Sequence, residues 1–207
     1  MKRIGLIFDM DGTLWDARKE VAASWSVVTR KRDYPEITLM DMTKTMGLPM
    51  ESIADSLFPN LSKEKRISLL NECTAYENEY LKTHSGALYP KEEETLKALM
   101  EKGYFLCILS NAQPGYIEAY YSSTNLGKYF IDHICWGDNR LPKSQNMLLL
   151  KERNHFDEIY YIGDTEMDEN ESNKAKAKFV HASYGFGKAK NPYFVLKRFT
   201  DLLKCPF

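Results

Sequence analysis

The chain has 207 residues, of which 43% are hydrophobic, and its 28 Lys and Arg against 29 Asp and Glu give a net charge of −1. This length fits one ordinary domain or one domain with a modest insertion, and the charge balance provides no basic surface for nucleic acid. No stretch approaches the run of about 20 apolar residues that spans a bilayer. The N-terminus lacks the long apolar stretch of a secretory signal, so we expect a cytoplasmic protein.

Short apolar runs bounded by turn residues recur along the chain, and we predict that they form buried strands. They do not alternate cleanly between apolar and polar residues, which is typical of a parallel sheet covered on both faces. From residue 88 onward they alternate with helix-like segments. This pattern predicts an α/β fold with a doubly wound, Rossmann-like parallel sheet. The predicted strands are 4–8, 105–109, 131–136, 159–162 and 179–180, and the predicted helices are 91–102, 116–121 and 144–153.

Residues 15–85 differ from the rest of the chain because they follow one strand directly and show no further strand runs. Apolar residues recur there at helical spacing, as at Val21, Trp25 and Val28. We predict helices at 17–32, 39–46, 50–57 and 63–81. The sequence therefore predicts an α/β core domain formed by 1–14 and 86–207, with a helical domain inserted at 15–85.

The first motif with chemical potential is Asp9-Met10-Asp11-Gly12-Thr13, directly after the first predicted strand. Ligands of doubly wound sheets bind beyond the carboxyl ends of the strands. Two carboxylates two residues apart, followed by a glycine at which the chain can turn sharply, suit metal-assisted chemistry. The alternative is an Asp-Gly turn without chemistry, because both residues favour turns.

Three further motifs follow in the chain. Ser110-Asn111 ends a predicted strand and could hold a phosphate oxygen, although a turn or helix cap uses the same residues. Lys143 precedes a helical segment, where a surface lysine is the common case. Asp164 and Asp168 lie in an acidic loop after another predicted strand. They could present oxygens to a hard cation or form a solvated loop.

Taken in this order, the four motifs resemble those of the haloacid dehalogenase superfamily. The resemblance extends over nearly the whole chain, from the first strand to Gly185-Phe186-Gly187. A helical insert directly after the first motif, and Tyr89-Pro90 before the next helix, are similar to the capped branch of the family. That branch includes phosphoglycolate phosphatases and β-phosphoglucomutases. The resemblance implies that the inserted helical domain is a cap over the active site.

The resemblance also implies a mechanism through an aspartyl-phosphate. Asp9 would be the nucleophile, and Asp11 would protonate the leaving alcohol and then activate water. Ser110 and Asn111 would bind the phosphoryl oxygens. Lys143 would stabilise both the phosphate and the ionised nucleophile.

The same resemblance implies one Mg²⁺ ion as cofactor. Asp9, the main-chain carbonyl of Asp11 and the side chain of Asp164 would hold it, and such hard oxygen ligands suit this cation. Thr13 would help to position Asp11. Asp168 would lie behind the ligands and orient the lysine or a metal-bound water.

The predicted function is a Mg²⁺-dependent phosphatase of a small phosphorylated metabolite, similar to phosphoglycolate phosphatases. Asp11 favours phosphoryl transfer over carbon–halogen cleavage, because an alkoxide needs a proton to leave and a halide does not. A phosphomutase with the same intermediate and a non-catalytic binding protein stay open as alternatives. The substrate stays open too, because Ser110-Asn111-Ala112-Gln113 departs from the Thr-Asn-Lys form common among phosphoglycolate phosphatases. Glu166 also departs from the family pattern, since a small residue or proline is more usual at its position. The oligomeric state is unknown.

Cap side chains would select the substrate. Arg18 could meet a substrate carboxylate, although a surface helix residue is the favoured interpretation. We interpret Trp25, Tyr76 and Tyr80 as the core of the cap rather than a ligand cage.

Overall fold

A six-stranded parallel sheet forms the centre of the protein in a computed structural model, which describes residues 2–207. The strand order is β5-β4-β1-β6-β7-β8, and every neighbouring pair runs parallel. The predicted parallel sheet is confirmed, and β8 is a strand that the sequence did not reveal. The strands are β1 (Ile4–Phe8), β4 (Phe105–Ser110), β5 (Asp132–Cys135), β6 (Glu158–Gly163), β7 (Lys178–Ala182) and β8 (Phe194–Leu196).

The first strand lies in the middle of the sheet. Phe8 pairs with Ile108 of β4 on one side and with Ile162 of β6 on the other. The strand order reverses at this point, and the loops that leave the three strands meet there. The topology thus creates a crevice at the carboxyl ends of β1, β4 and β6, where doubly wound sheets bind ligands.

Both faces of the sheet are covered, which explains the nearly continuous apolar runs of the strands. Leu6 and Phe8 point into one apolar cluster, together with Leu96 of the helix that precedes β4. Ile7 points into the other cluster, together with Met147. The helices of this part of the chain are α5 (Glu92–Glu101), α6 (Tyr116–Thr124), α7 (Trp136–Asn139), α8 (Lys143–Arg153) and α9 (Glu166–Lys174).

The helix and strand bounds differ from the predicted ones by a few residues. The helix predicted at 91–102 begins at Glu92, because Lys91 has a left-handed backbone with φ of 60°. The helix predicted at 116–121 continues to Thr124 and ends at Asn125, which has a φ of 58°. The strand predicted at 131–136 stops one residue earlier, because Trp136 begins a short helix.

The four helices predicted between residues 15 and 85 are present. Thr38 and Asp41 form a capping box at the start of the second helix, and Ser62 caps the fourth, so local sequence fixes both starts. The first and fourth helices pack against each other. The division into core and cap domains stays a prediction. The helices are α1 (Arg18–Lys31), α2 (Leu39–Thr45), α3 (Met50–Leu57) and α4 (Lys63–Leu81).

The absence of strands in residues 15–85 was a wrong prediction. Trp15–Asp16 forms β2, which pairs antiparallel with β3 at Ala87–Leu88. Two residues are too few to show an alternating pattern, so no strand could be predicted there. This small ribbon joins the chain entering the four helices to the chain leaving them. Among the described residues, no helix has the length and apolarity required to cross a membrane.

Candidate active site

The predicted site residues come together at the crevice between β1, β4 and β6. Asp9 follows β1, Ser110 ends β4, and Asp164 follows β6. The main-chain N–H of Asp9 donates to the carbonyl of Ile162 at 2.8 Å, which fixes the loop against β6. The eight predicted residues are all buried, namely Asp9, Asp11, Thr13, Ser110, Asn111, Lys143, Asp164 and Asp168.

Lys143 lies between two carboxylates. Its ammonium donates to Oδ1 of Asp9 at 2.8 Å and to Oδ1 of Asp168 at 2.7 Å, with its side chain only 3% exposed. Burial works against the charged form, but the two carboxylates outweigh it and hold the pKa of Lys143 well above its usual range. The lysine is therefore a fixed positive charge beside the candidate nucleophile.

Asp168 supports this lysine from behind. Its Oδ2 accepts hydrogen bonds from the N–H and hydroxyl of Thr165, at 3.0 and 2.6 Å, in the capping box of α9. Its Oδ1 accepts from Lys143, so both oxygens are engaged. Asp168 is thus held by Thr165 while it contacts the ammonium of Lys143, as its predicted role of orienting that lysine requires.

Asp9, Asp164 and Asp168 form a buried acidic group whose candidate ligand oxygens lie within 4.8 Å of one another. Since Asp168 is committed to its protein partners, Asp9 and Asp164 are the side chains best placed to hold a cation. Oδ2 of Asp164 accepts from the N–H of Phe186 at 2.6 Å, which orients the carboxylate. Gly12 has a φ of +80°, and a Cβ there would collide with this same oxygen. The glycine of the first motif thus allows the two loops to approach.

The buried acids exceed the positive charge that the protein supplies. Burial raises the pKa of Asp11 and of Asp164 to about 7. Burial also raises the pKa of Asp9, although Lys143 opposes the shift. A divalent cation would offset these charges, and carboxylate and carbonyl oxygens are the ligands that Mg²⁺ prefers. The donor set therefore fits the predicted Mg²⁺.

Asp11 has a partner that the sequence did not reveal. The hydroxyl of Tyr116, the first residue of α6, donates to Oδ1 of Asp11 at 2.7 Å. Thr13 was expected to position Asp11, but within the described part of the chain its hydroxyl has no hydrogen-bond partner. Nothing in the sequence joins two residues 105 positions apart, so Tyr116 could be identified only from packing.

Ser110 and Asn111 face the same cavity as Asp9 and Asp11. Oγ of Ser110 accepts from the N–H of Ala112 at 3.2 Å. Nδ2 of Asn111 donates to the carbonyl of Gly47, between α2 and α3, at 3.0 Å. Asn111 therefore links the sheet edge to the inserted helices, in addition to its predicted place beside the phosphate.

The inserted helices close the cavity from the opposite side, but the sequence did not indicate which of their residues line it. The side chains of this half of the cavity are mostly apolar and come from α1, α2, α3, α4 and the α2–α3 loop. We name this half the cap chamber. It is formed by Val21, Trp25, Met42, Met46, Leu48, Met50, Ile53 and Glu77.

The cap residues weighed from the sequence have different environments. Trp25 is buried, as expected for cap core, but it also lines the cap chamber. Tyr76 is 36% exposed, so its assignment to the cap core was wrong. Arg18 forms an ion pair with Asp16 at 2.7 Å and lies over the ring of Phe186, outside the cavity lining.

A family model of haloacid dehalogenase-like hydrolases matches residues 6–182. The chain belongs to this family. The predicted membership and the predicted fold are therefore confirmed. The match begins in β1 and ends with β7, so it includes all four predicted motifs.

Among curated relatives, the chain is similar to a phosphoglycolate phosphatase of Aquifex aeolicus, with 26% identity over 96% of this chain and 94% of the relative. It is also similar to a phosphoglycolate phosphatase of Vibrio vulnificus strain YJ016, with 27% identity over 96% of this chain and 93% of the relative. The chain thus spans nearly the whole length of both relatives.

Solved structures share the fold. A crystal structure of a predicted phosphoglycolate phosphatase from Haemophilus somnus 129pt superposes with a TM-score of 0.84 and 22% identity, covering 99% of this chain and 97% of that chain. A haloacid dehalogenase-like family hydrolase from Streptococcus pneumoniae superposes with a TM-score of 0.83 and 17% identity, covering 98% and 97%. At these identities the likeness concerns the fold alone.

Proposed function

We propose that the protein is a Mg²⁺-dependent phosphatase that hydrolyses a small phosphomonoester through an aspartyl-phosphate on Asp9. The observation that carries the proposal is the contact of Lys143 with Asp9 at 2.8 Å, beside the acidic group that contains Asp164. An anionic carboxylate can approach an anionic phosphate only where fixed positive charge offsets the repulsion. The named phosphatase relatives support the same reaction.

Asp9 and Asp11 would divide the chemistry between them. A carboxylate oxygen of Asp9 attacks phosphorus, and the bond from phosphorus to the alkoxide oxygen breaks. Asp11, whose pKa burial raises to about 7, gives its proton to that oxygen. Asp11 then takes a proton from the water that attacks the phosphorus of aspartyl-phosphate. Inorganic phosphate leaves and both carboxyl groups return to their first state.

Other residues would position the reactants. The hydroxyl of Tyr116 holds Asp11 in place, and Ser110 lies beside the path of the phosphoryl oxygens. Asp9, Asp164 and the main-chain carbonyl of Asp11 would hold Mg²⁺. When bound, this ion supplies positive charge against the phosphate oxygens. The resemblance and the named relatives make phosphoglycolate the first substrate to compare with others.

The test is hydrolysis of p-nitrophenyl phosphate with Mg²⁺, with EDTA, and with the Asp9→Asn variant. We expect EDTA to abolish turnover and Asp9→Asn to lower kcat by on the order of 10³-fold or more, because the nucleophile is lost. Asp55→Asn is the matched control, since this aspartate forms an ion pair with Arg66 on the cap surface. Turnover that survives Asp9→Asn would contradict the proposal.

A single-turnover experiment separates the hydrolase from the mutase alternative. The lifetime of the aspartyl-phosphate is measured with and without a hexose phosphate. A phosphatase loses the phosphoryl group to water at the same rate in both cases. A long-lived intermediate that transfers its phosphoryl group to the sugar would favour the mutase.

A further inference from the structure

The cap chamber combines an apolar wall with one buried carboxyl group. Three methionines, Met42, Met46 and Met50, contribute flexible, polarisable side chains to the wall. Glu77 of α4 lines the same cavity as Asp9 and Asp11 and is only 3% exposed. A carboxyl group buried in apolar surroundings is costly unless its charge is compensated.

The hydrogen bonds around Glu77 favour its ionised form. The indole N–H of Trp25 donates to Oε2, and Nε2 of Gln113 donates to Oε1 at 3.3 Å. An indole N–H can only donate, so this oxygen accepts. Nε2 of Gln113 also donates to Oδ1 of Asn78 at 2.9 Å, which fixes the orientation of its amide. Both oxygens of Glu77 are therefore held as acceptors.

The cavity holds no positive side chain opposite this carboxylate. Within residues 2–207, the side chains that line the cavity include Asp9, Asp11 and Glu77 but no lysine or arginine. The nearby cations are occupied: Lys143 by Asp9 and Asp168, and Arg18 by Asp16. A leaving group with a carboxylate would bring another negative charge toward Glu77. An ammonium would instead supply the missing counter-charge.

We propose that Glu77 determines the specificity of the site and that the substrate is a short aliphatic phosphomonoester whose leaving alcohol carries an ammonium group. The phosphate lies against the sheet edge, the carbon chain lies against the methionines, and the ammonium lies beside Glu77. This inference rests on the proposed phosphatase activity and identifies the substrate class of the same site. It favours an amine over the carboxylate of phosphoglycolate.

Burial raises the pKa of Glu77 to about 8, against the hydrogen bonds from Trp25 and Gln113. A neighbouring ammonium keeps a carboxylate ionised by opposing this effect. An ammonium in the chamber would therefore lower the pKa of Glu77 and keep it ionised at neutral pH.

The test compares three phosphomonoesters of similar size and different charge. They are 2-aminoethyl phosphate, its isostere n-propyl phosphate, in which an uncharged methyl group replaces the ammonium, and 2-phosphoglycolate. We expect kcat/KM to fall in that order, with the amine preferred over its isostere by roughly 10- to 100-fold, the range of one buried charge interaction. This ranking needs only the unmodified protein. An equal rate for the amine and its isostere would mean that the chamber selects apolarity alone and would overturn the inference.

The Glu77→Gln variant keeps the shape of the side chain and removes its charge. We expect it to abolish the preference for 2-aminoethyl phosphate over n-propyl phosphate, measured as the ratio of their kcat/KM values. Glu92→Gln is the matched control, because Glu92 is also buried and accepts from the hydroxyl of Tyr120 at 2.8 Å, but it lies outside the cavity lining. A preference that persists in Glu77→Gln would overturn the inference.

The failure of this inference differs from the failure of the proposed function. If p-nitrophenyl phosphate is hydrolysed and 2-phosphoglycolate is the best of the three, only the inference on the amine is overturned. If none of the four compounds is hydrolysed with Mg²⁺, the proposed phosphatase and the inference that rests on it are both overturned.

Discussion

The two halves of the cavity differ in how their charges are compensated. At the sheet edge, Lys143 contacts Asp9 and Asp168, and Thr165 holds Asp168 within the capping box of α9, so a positive charge is fixed beside the candidate nucleophile. In the cap chamber, Glu77 accepts from neutral hydrogen-bond donors, and no cation of the described residues pairs with it. A fixed set of charges suits a reaction that is the same for every substrate. A carboxylate without a counter-charge suits a group that the substrate itself brings.

This comparison makes a general prediction. Substitutions at the sheet edge should lower turnover of all phosphomonoesters by a similar factor, because every substrate presents the same phosphate. Substitutions in the cap chamber should change turnover by a factor that depends on the organic part.

Lys143→Met removes the positive charge beside Asp9. We expect kcat/KM to fall on the order of 10³-fold for every substrate, because the repulsion between carboxylate and phosphate is no longer offset. Two buried carboxylates lose their partner, so the free energy of unfolding should also fall by about 3 kcal/mol. Steady-state kinetics and thermal unfolding followed by circular dichroism measure the two effects.

Lys128→Met is the control for this variant, since Lys128 pairs with Glu93 on the surface at 2.8 Å. It should leave both quantities nearly unchanged. A loss of activity in Lys143→Met that is confined to one substrate would break the distinction between the two halves.

Tyr116→Phe removes the hydroxyl that donates to Asp11. We expect kcat to fall by about 10-fold for all substrates, since Asp11 is held less firmly and one hydrogen bond to a charged group is lost. Tyr120→Phe is matched to it, because its hydroxyl lies on the same helix and donates to a buried glutamate outside the cavity lining. Equal losses in the two variants would show that α6 acts through stability and not through Asp11.

Glu92→Gln should change stability with pH and leave turnover ratios unchanged. Burial raises the pKa of Glu92 from 4.5 to about 8, against the hydrogen bonds from Tyr120 and Tyr89. The folded state thus holds a proton that the unfolded state releases above about pH 4.5. This contribution to stability is complete below that pH and is lost as the pH rises through about 8.

We therefore expect the unmodified protein to lose on the order of 2–4 kcal/mol relative to Glu92→Gln between pH 5 and pH 8.5. Urea unfolding at both pH values measures the difference. Glu93→Gln, at the exposed neighbouring position, should show no such trend. A constant difference between Glu92→Gln and the unmodified protein would mean that Glu92 keeps its ordinary pKa when folded.

The sheet edge could be predicted from the sequence because its residues follow strands. Asp9, Ser110 and Asp164 each lie at the end of an apolar run, and a parallel sheet brings such ends together. The cap chamber could not be predicted in this way. Trp25 and Glu77 meet because α1 packs on α4, and they are 52 residues apart. Helical periodicity shows which face is apolar but not which two helices will pair.

Smaller features escaped prediction for different reasons. Tyr116 begins a helix that the sequence indicates, but its hydroxyl reaches Asp11 only through the packing of α6 beside β2. The strand β8 has only three residues, Phe194–Leu196, and follows a loop. It therefore falls outside the regular alternation of strand and helix from which the other strands were predicted. The predicted role of Thr13 in positioning Asp11 stays a prediction, since its hydroxyl has no hydrogen-bond partner within the described part of the chain.

The ribbon of β2 and β3 carries both chain connections to the four inserted helices. Because the chain enters and leaves the four helices through this one pair of strands, we expect the ribbon to act as the hinge if the helices move relative to the sheet. Such a rotation would have to break two hydrogen bonds, from the side chain of Asn111 to the carbonyl of Gly47 and from the side chain of Asn78 to the carbonyl of Pro114. Asn111, a predicted phosphate-binding residue, and Pro114 thus both lie in the loop after β4 that contacts the inserted helices.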